Sequence, residues 1–135
     1  MGGTRDVRIL AVRVACVVYA AAIFVLSSLP AITAAPGLGP STDKLYHVLE
    51  FVILAALAVG AVGARGSLWR TRAAIFGFAI AAAYGVADEI HQMFVPTRNA
   101  DPWDALADIA GAAAGANVAW SLLGCGTFGH PSRKS

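Results

Sequence analysis

The stretch Phe51-Val52-Ile53-Leu54-Ala55-Ala56-Leu57 decides the fold. Seven apolar residues follow one another without a polar one between them, so the period of two that a membrane-barrel strand needs is missing. The run lies inside a longer apolar segment, about 44–63. At a rise of about 1.5 Å per residue, such a segment crosses a hydrocarbon layer about 30 Å thick as a helix. Three further segments share its character, at about 9–29, 73–95 and 102–123. Lipid offers main-chain N–H and C=O groups no water, so each segment must satisfy them internally, as a helix does. The sequence therefore predicts an all-α, polytopic membrane bundle of four transmembrane helices.

Composition agrees. Of 135 residues, 58% are hydrophobic and 13% charged, against about 25% charged in soluble domains. So few charges cannot coat a small globule, and so much apolar surface excludes disorder. A net charge of +2, with no basic patch interleaved with aromatics, gives no reason to expect a nucleic-acid partner. Cys16 and Cys125 lack metal-ligand spacing and read as small packing residues. Arg5 and Arg8, an apolar stretch and Thr33-Ala34-Ala35 have the outline of a signal peptide. The 21 residues Ile9–Leu29 exceed the usual apolar region of about 7–15, however, so an uncleaved first membrane helix is expected. The expected organisation is one membrane domain over residues 1–124 and a short polar tail over 125–135, with no repeat.

The connectors carry punctuation. Pro30 and Pro36-Gly37-Leu38-Gly39-Pro40 mark the first loop, with Ser41 or Thr42 as a helix cap and Asp43 in the following turn. Arg65–Arg70 reads as the second loop, and Pro96 stops the third helix. Asp101 is placed as an N-cap, Pro102 at the first helical position and Asp104 at the third, close to a capping box. Trp69, Trp103 and Trp120 fall near helix ends, as interface anchors do.

Charge predicts orientation. Arg5, Arg8, Arg13, Arg65, Arg70, Arg72, Arg133 and Lys134 share one side; only Lys44 and Arg98 occupy the other. The positive-inside rule puts both termini in the cytoplasm. Seven of the eight acids, all but Asp6, then lie in the outer half or at its rim. By helical rise, Asp104 and Asp108 are about 4.5 and 10 Å below Asp101, Glu89 about 9 Å below Val95, and His47 about 6 Å below Asp43. Three helices thus bring ionisable groups to one depth. Asp43, His47 and Glu50 share a face, as do Glu89 and Gln92. Asp101, Asp104 and Asp108 share another, which continues through Gly111 and Gly115, a small-xxx-small seam available for helix packing or for a homo-oligomer. Unpaired carboxylates in lipid cost about 2.5–3.5 kcal/mol each, so partners are required: Lys44, His47, Gln92 and Arg98 are at hand. Arg98 can fork to a carboxylate or a phosphate. Asp88 and His91, on other faces, are expected at the interface.

Three blocks resemble the VanZ-like family of small bacterial membrane proteins. They are Asp43-Lys44-x-x-His47, Asp88-Glu89-x-x-Gln92 followed by Pro96-x-Arg98, and Asp104-x-x-x-Asp108 with Gly111 and Gly115, in order over about residues 41–118. The family pattern often has asparagine where Asp108 stands and glycine where Thr97 stands. The resemblance implies an integral membrane protein of about four helices, named for an accessory protein of glycopeptide-resistance clusters linked to teicoplanin. It brings no settled reaction or ligand.

Several functions fit the residues. One is a membrane-embedded binding site for an envelope lipid head group or a glycopeptide-related ligand, formed by Lys44, His47, Glu89, Gln92, Arg98, Asp104 and Asp108. Another is an enzyme on a lipid-linked substrate, with His47 or Glu89 as general base, Asp104 or Asp108 as second acid and Arg98 as electrophilic stabiliser, although no nucleophile is evident. A third is a closed polar network that only holds helices together. Ion passage ranks last, because the cytoplasmic halves carry few polar groups. No cofactor is expected; a metal held by His47, Glu89 and Asp104 or Asp108 is the weaker reading, because one histidine among carboxylates lacks the local spacing of a metal motif.

Overall fold

A computed structural model describes residues 3–29, 40–63 and 66–125, with the side chains of residues 3, 5 and 40–42 outside the description. It contains four helices: α1 (Gly3–Ser27), α2 (Pro40–Val62), α3 (Ser67–Gln92) and α4 (Pro102–Cys125). All four are long and apolar enough to cross a membrane, and no strand occurs among the described residues. Large apolar side chains such as Val14, Val18, Ile75, Ile80, Val118 and Leu122 point outward, where lipid is the solvent they suit. The Pro36–Gly39 loop, Arg65 and the tail lie outside the described residues.

Helix limits shift in two places. The expected second loop is helical from Ser67, six residues earlier than Ala73, because Arg70 and Arg72 continue the helix while their heads meet aromatic faces. Arg70 lies 4.3 Å from the Trp120 ring centroid and Arg72 5.2 Å from that of Trp69. At its other end α3 stops at Gln92, before Val95. Pro96 has no N–H and disfavours helix in the residue before it, and the chain tightens into a Phe94 N–H to His91 O bond of 2.9 Å and a Val95 N–H to Gln92 O bond of 3.1 Å. α2 opens at Pro40, one residue before the expected cap.

Packing centres on α2, which lies against both α3 and α4, while α1 is peripheral and packs on α2. Phe51, Leu54, Ala55, Ala81 and Ala112 form the core with Ile23 of α1. Small residues set the spacing. A Cβ on Gly111 would strike the Val48 carbonyl, and one on Gly115 the Val52 carbonyl, so the glycine seam is filled by α2 of the same chain. That face is therefore not open to a second copy. α3 has its own stripe of Ala73, Gly77, Ala81 and Gly85, all buried. Hydrophobic burial gains nothing inside lipid, so this close backbone approach, with its dispersion contacts, is what holds α2, α3 and α4 together.

Candidate polar site at the acidic end of the bundle

The α2–α4 contact continues past the glycines into polar residues. Lys44, in the first turns of α2, places its ammonium 2.8 Å from Asp101 Oδ2 and 2.6 Å from Asp104 Oδ1. One turn deeper, His47 Nδ1 lies 2.9 Å from Asp108 Oδ1 and its Nε2 4.0 Å from Asp104 Oδ2. An ionised Asp108 can only accept, so in this contact Nδ1 is the donor. Asp108 is fully buried. A Cβ on Gly85 would stand 2.7 Å from Asp108 Cβ and 3.0 Å from Oδ2, which shows how closely α3 covers this carboxylate.

Asp101 caps α4 as its position predicts: its Oδ1 accepts the Trp103 N–H at 2.9 Å, and its carbonyl accepts the Asp104 N–H at 2.9 Å. The capping box does not close. The Asp104 side chain goes to Lys44, and the Asp101 N–H goes to Glu89 Oε2 at 2.9 Å, so a carboxylate of α3 replaces the missing half of the box. At the surface, the Lys44 ammonium holds the Asp101 carboxyl below the usual aspartate range, with the Trp103 N–H adding to the effect.

The structure thus gathers Lys44, His47, Glu89, Asp104 and Asp108 from three helices. His47, Glu89 and Asp108 each offer a ligand atom within 4.8 Å of the others, and so do Asp43, His47 and Asp104. Two oxygens of the deeper group, Glu89 Oε1 and Asp108 Oδ2, are buried without a hydrogen-bond partner.

Gln92 and Arg98 lie elsewhere. Gln92 donates to Asp88 Oδ2 at 3.0 Å, and Ser27 of α1 donates to Asp88 Oδ1 at 2.6 Å. Asp88 is consequently buried in the α1–α3 contact and not at an interface. His91 is half-buried, its Nε2 3.0 Å from Ser28 Oγ and its ring beside Phe24. Arg98 donates to the carbonyls of Leu29 (3.1 Å) and Leu26 (3.2 Å) at the C-terminal end of α1. Its charge lies at a helix C-terminus, and among the described residues its side-chain hydrogen bonds go to these carbonyls. Ser27 and Ser28 were silent in the sequence; two adjacent hydroxyls ending an apolar helix were their only signal. A cavity of about 400 Å³ between α3 and α4 lies toward the basic end, lined by Thr71, Ile75, Phe78, Ala116, Asn117 and Trp120, away from the acidic cluster.

The fold and the site define a multi-pass helical membrane protein with a polar end built from three helices. The chain belongs to the VanZ/LLP1 family, whose model matches residues 19–124. No curated protein and no solved structure matches it.

Proposed function

We propose that the acidic end of the bundle faces outward from a bacterial plasma membrane and binds an envelope ligand through an ammonium group. The positive-inside rule supports the orientation, since the basic end carries Arg8, Arg13, Arg70 and Arg72. The charge at the rim carries the choice of ligand. Asp43 is exposed, Asp101 and Lys44 keep 39% and 35% of their side-chain surface, and Asp104 adds a further carboxylate behind them. Three acids face one ammonium there, so this cluster has an excess of negative charge; Arg98 keeps its own charge but directs its N–H groups to the main-chain carbonyls at the end of α1. An anionic head group meets repulsion at such a rim; an ammonium meets Asp43 and Asp101. That group belongs either to a zwitterionic lipid head group or to a glycopeptide-related molecule. A part in the response to teicoplanin-type glycopeptides accords with membership of the VanZ/LLP1 family.

Binding can be read by native mass spectrometry of the full chain in detergent. Vesicle lipids with phosphoethanolamine head groups form one arm, phosphoglycerol lipids a second and teicoplanin a third. Retention of an amine-bearing ligand by the wild type, and its loss in Asp43→Asn with Asp101→Asn, is the expected result. Preference for the phosphoglycerol lipid would overturn the reading.

A second reading has its own observation. Lys44 is shared by Asp101 and Asp104, and such a bridge between α2 and the start of α4 also serves as scaffolding. If Lys44→Gln lowers the amount of protein in the membrane and leaves ligand retention per molecule unchanged, scaffolding is the role of that bridge.

A further inference from the structure

Below the rim, the side chains of α2, α3 and α4 are arranged in a way that head-group recognition does not use. Asp108 is fully buried and Glu89 is only 6% exposed. Each spends one oxygen on a protein donor: Asp108 Oδ1 on His47 Nδ1, and Glu89 Oε2 on the Asp101 N–H. Each leaves the other oxygen, Asp108 Oδ2 and Glu89 Oε1, enclosed and without a partner. Buried carboxylate oxygens are ordinarily paired, and two unpaired ones from neighbouring helices point to a missing positive partner. Asp108 Oδ2 faces α3 at Gly85, one turn from Glu89, and the two carboxylates and the imidazole bring ligand atoms within 4.8 Å of one another.

We propose that His47, Glu89 and Asp108 bind one divalent transition-metal ion, Zn2+ or Mn2+, in the interior of the bundle. One imidazole nitrogen and two carboxylates are donors that both ions accept, and two carboxylates neutralise the ion's charge within lipid. Bonds of about 2.0–2.2 Å around a tetrahedral ion set ligand atoms about 3.4 Å apart, so the observed separations close by movements of about an ångström. His47 Nδ1 then changes from donor to ligand. The proton of the neutral imidazole resides on Nε2, which faces Asp104 Oδ2 at 4.0 Å. Asp104, already held by Lys44, thereby becomes the carboxylate that orients the ligating histidine. Three protein ligands leave a coordination position for water or for a ligand arriving from the rim.

The sequence offers His47, Glu89 and Asp104 or Asp108 as a loose donor set and does not choose between the two aspartates. The three ligands come from three helices, at separations of 42 and 19 positions, so no local motif exists. The proposal needs neither the outward orientation nor a head-group ligand, and its test uses the ions alone.

The full chain, purified in phospholipid nanodiscs and stripped with a chelator, is titrated with Zn2+ and separately with Mn2+. Bound metal is counted by elemental analysis and affinity measured by indicator competition. The expected result is one equivalent per chain, with affinity falling at least tenfold in Glu89→Gln and in Asp108→Asn. Asp104→Asn, acting through the histidine, falls about tenfold. Asp43→Asn retains wild-type affinity, which separates this site from the rim and from the alternative triplet that Asp43 belongs to. X-ray absorption of the Zn2+-loaded wild type keeps the test decisive even if a variant misfolds: a shell of nitrogen and oxygen at about 2.0–2.1 Å with one imidazole is expected. Absence of stoichiometric binding by both ions, an all-oxygen or sulfur shell, or affinity insensitive to both Glu89→Gln and Asp108→Asn would each overturn the proposal.

Discussion

His47 and Asp108, on different helices and 61 positions apart, meet at 2.9 Å where α2 and α4 cross beneath α3. The pair follows directly from the glycine seam. Gly111 lets the Val48 main chain approach α4 so closely that the next residue back along α2, His47, comes within reach of the residue one turn before Gly111, Asp108. Asp108→Ala removes the acceptor and leaves a buried imidazole N–H unpaired. A loss of about 1–2 kcal/mol is expected, the upper range for polar contacts between membrane helices. Asp108→Asn keeps an oxygen for the same N–H and should lose less. Melting temperatures of the three proteins in one detergent check the order.

The seam itself gives a sharper test. A methyl group at Gly115 would enter the Val52 carbonyl, and neither main chain can yield without separating the helices. Gly115→Ala should therefore destabilise by about 1–3 kcal/mol, the usual cost of overpacking. Ala114, exposed on the lipid side of the same helix, should accept Val without measurable loss. Equal tolerance at both positions would refute the assigned α2–α4 contact.

At the rim, pH separates capping from charge. The Asp101 carboxyl titrates below the ordinary aspartate range because Lys44 favours its ionised form. A depressed value means that the ion pair contributes its full share above the unfolded-state value of about 3.9 and loses it as pH falls through the lower folded value. Asp101→Asn retains an oxygen for the Trp103 N–H and deletes the charge together with the oxygen that accepts from Lys44. The difference in melting temperature between wild type and this variant should stay constant from pH 7 to about 4 and shrink below that.

Thr97 has φ of 68°, in the left-handed region that β-branched residues avoid. The family pattern often has glycine at this position, and the backbone supplies the reason. The comparison that isolates the strain is between two variants that both lack the threonine hydroxyl: Thr97→Gly should melt at a higher temperature than Thr97→Ala, which keeps the left-handed strain of about 1–2 kcal/mol.

Much of this architecture was legible in the sequence because lipid leaves the chain few options. Apolar length alone predicts four helices, and helical rise places His47, Glu89, Asp104 and Asp108 at one depth. The Asp101-Pro102 start of α4 also holds, since capping is decided within four residues. What one sequence cannot express is rotation about a helix axis. Glu89 and Gln92 share a face by spacing, yet α3 sits between α1 and α4, so Glu89 turns to Asp101 while Gln92 turns to Asp88 and Ser27. The partner of Lys44 was similarly open until α4 was set against α2.

The direction in which Arg98 points was equally undetermined by its position in the sequence. As the only arginine at the acidic end it suggests a ligand contact, but it donates to Leu26 and Leu29 across the end of α1. α1 is otherwise held near this end by side-chain contacts to α3, such as Ser27 with Asp88, so the guanidinium is a clamp on the peripheral helix. Arg98→Gln should expose the last turn of α1 and speed amide hydrogen exchange at residues 24–29, while exchange in α4 stays unchanged. The contacts are exposed, so the global loss should be no more than about 1 kcal/mol. Uniform acceleration across all four helices would instead make Arg98 part of the central packing. Unchanged exchange at the end of α1 would remove the clamp altogether.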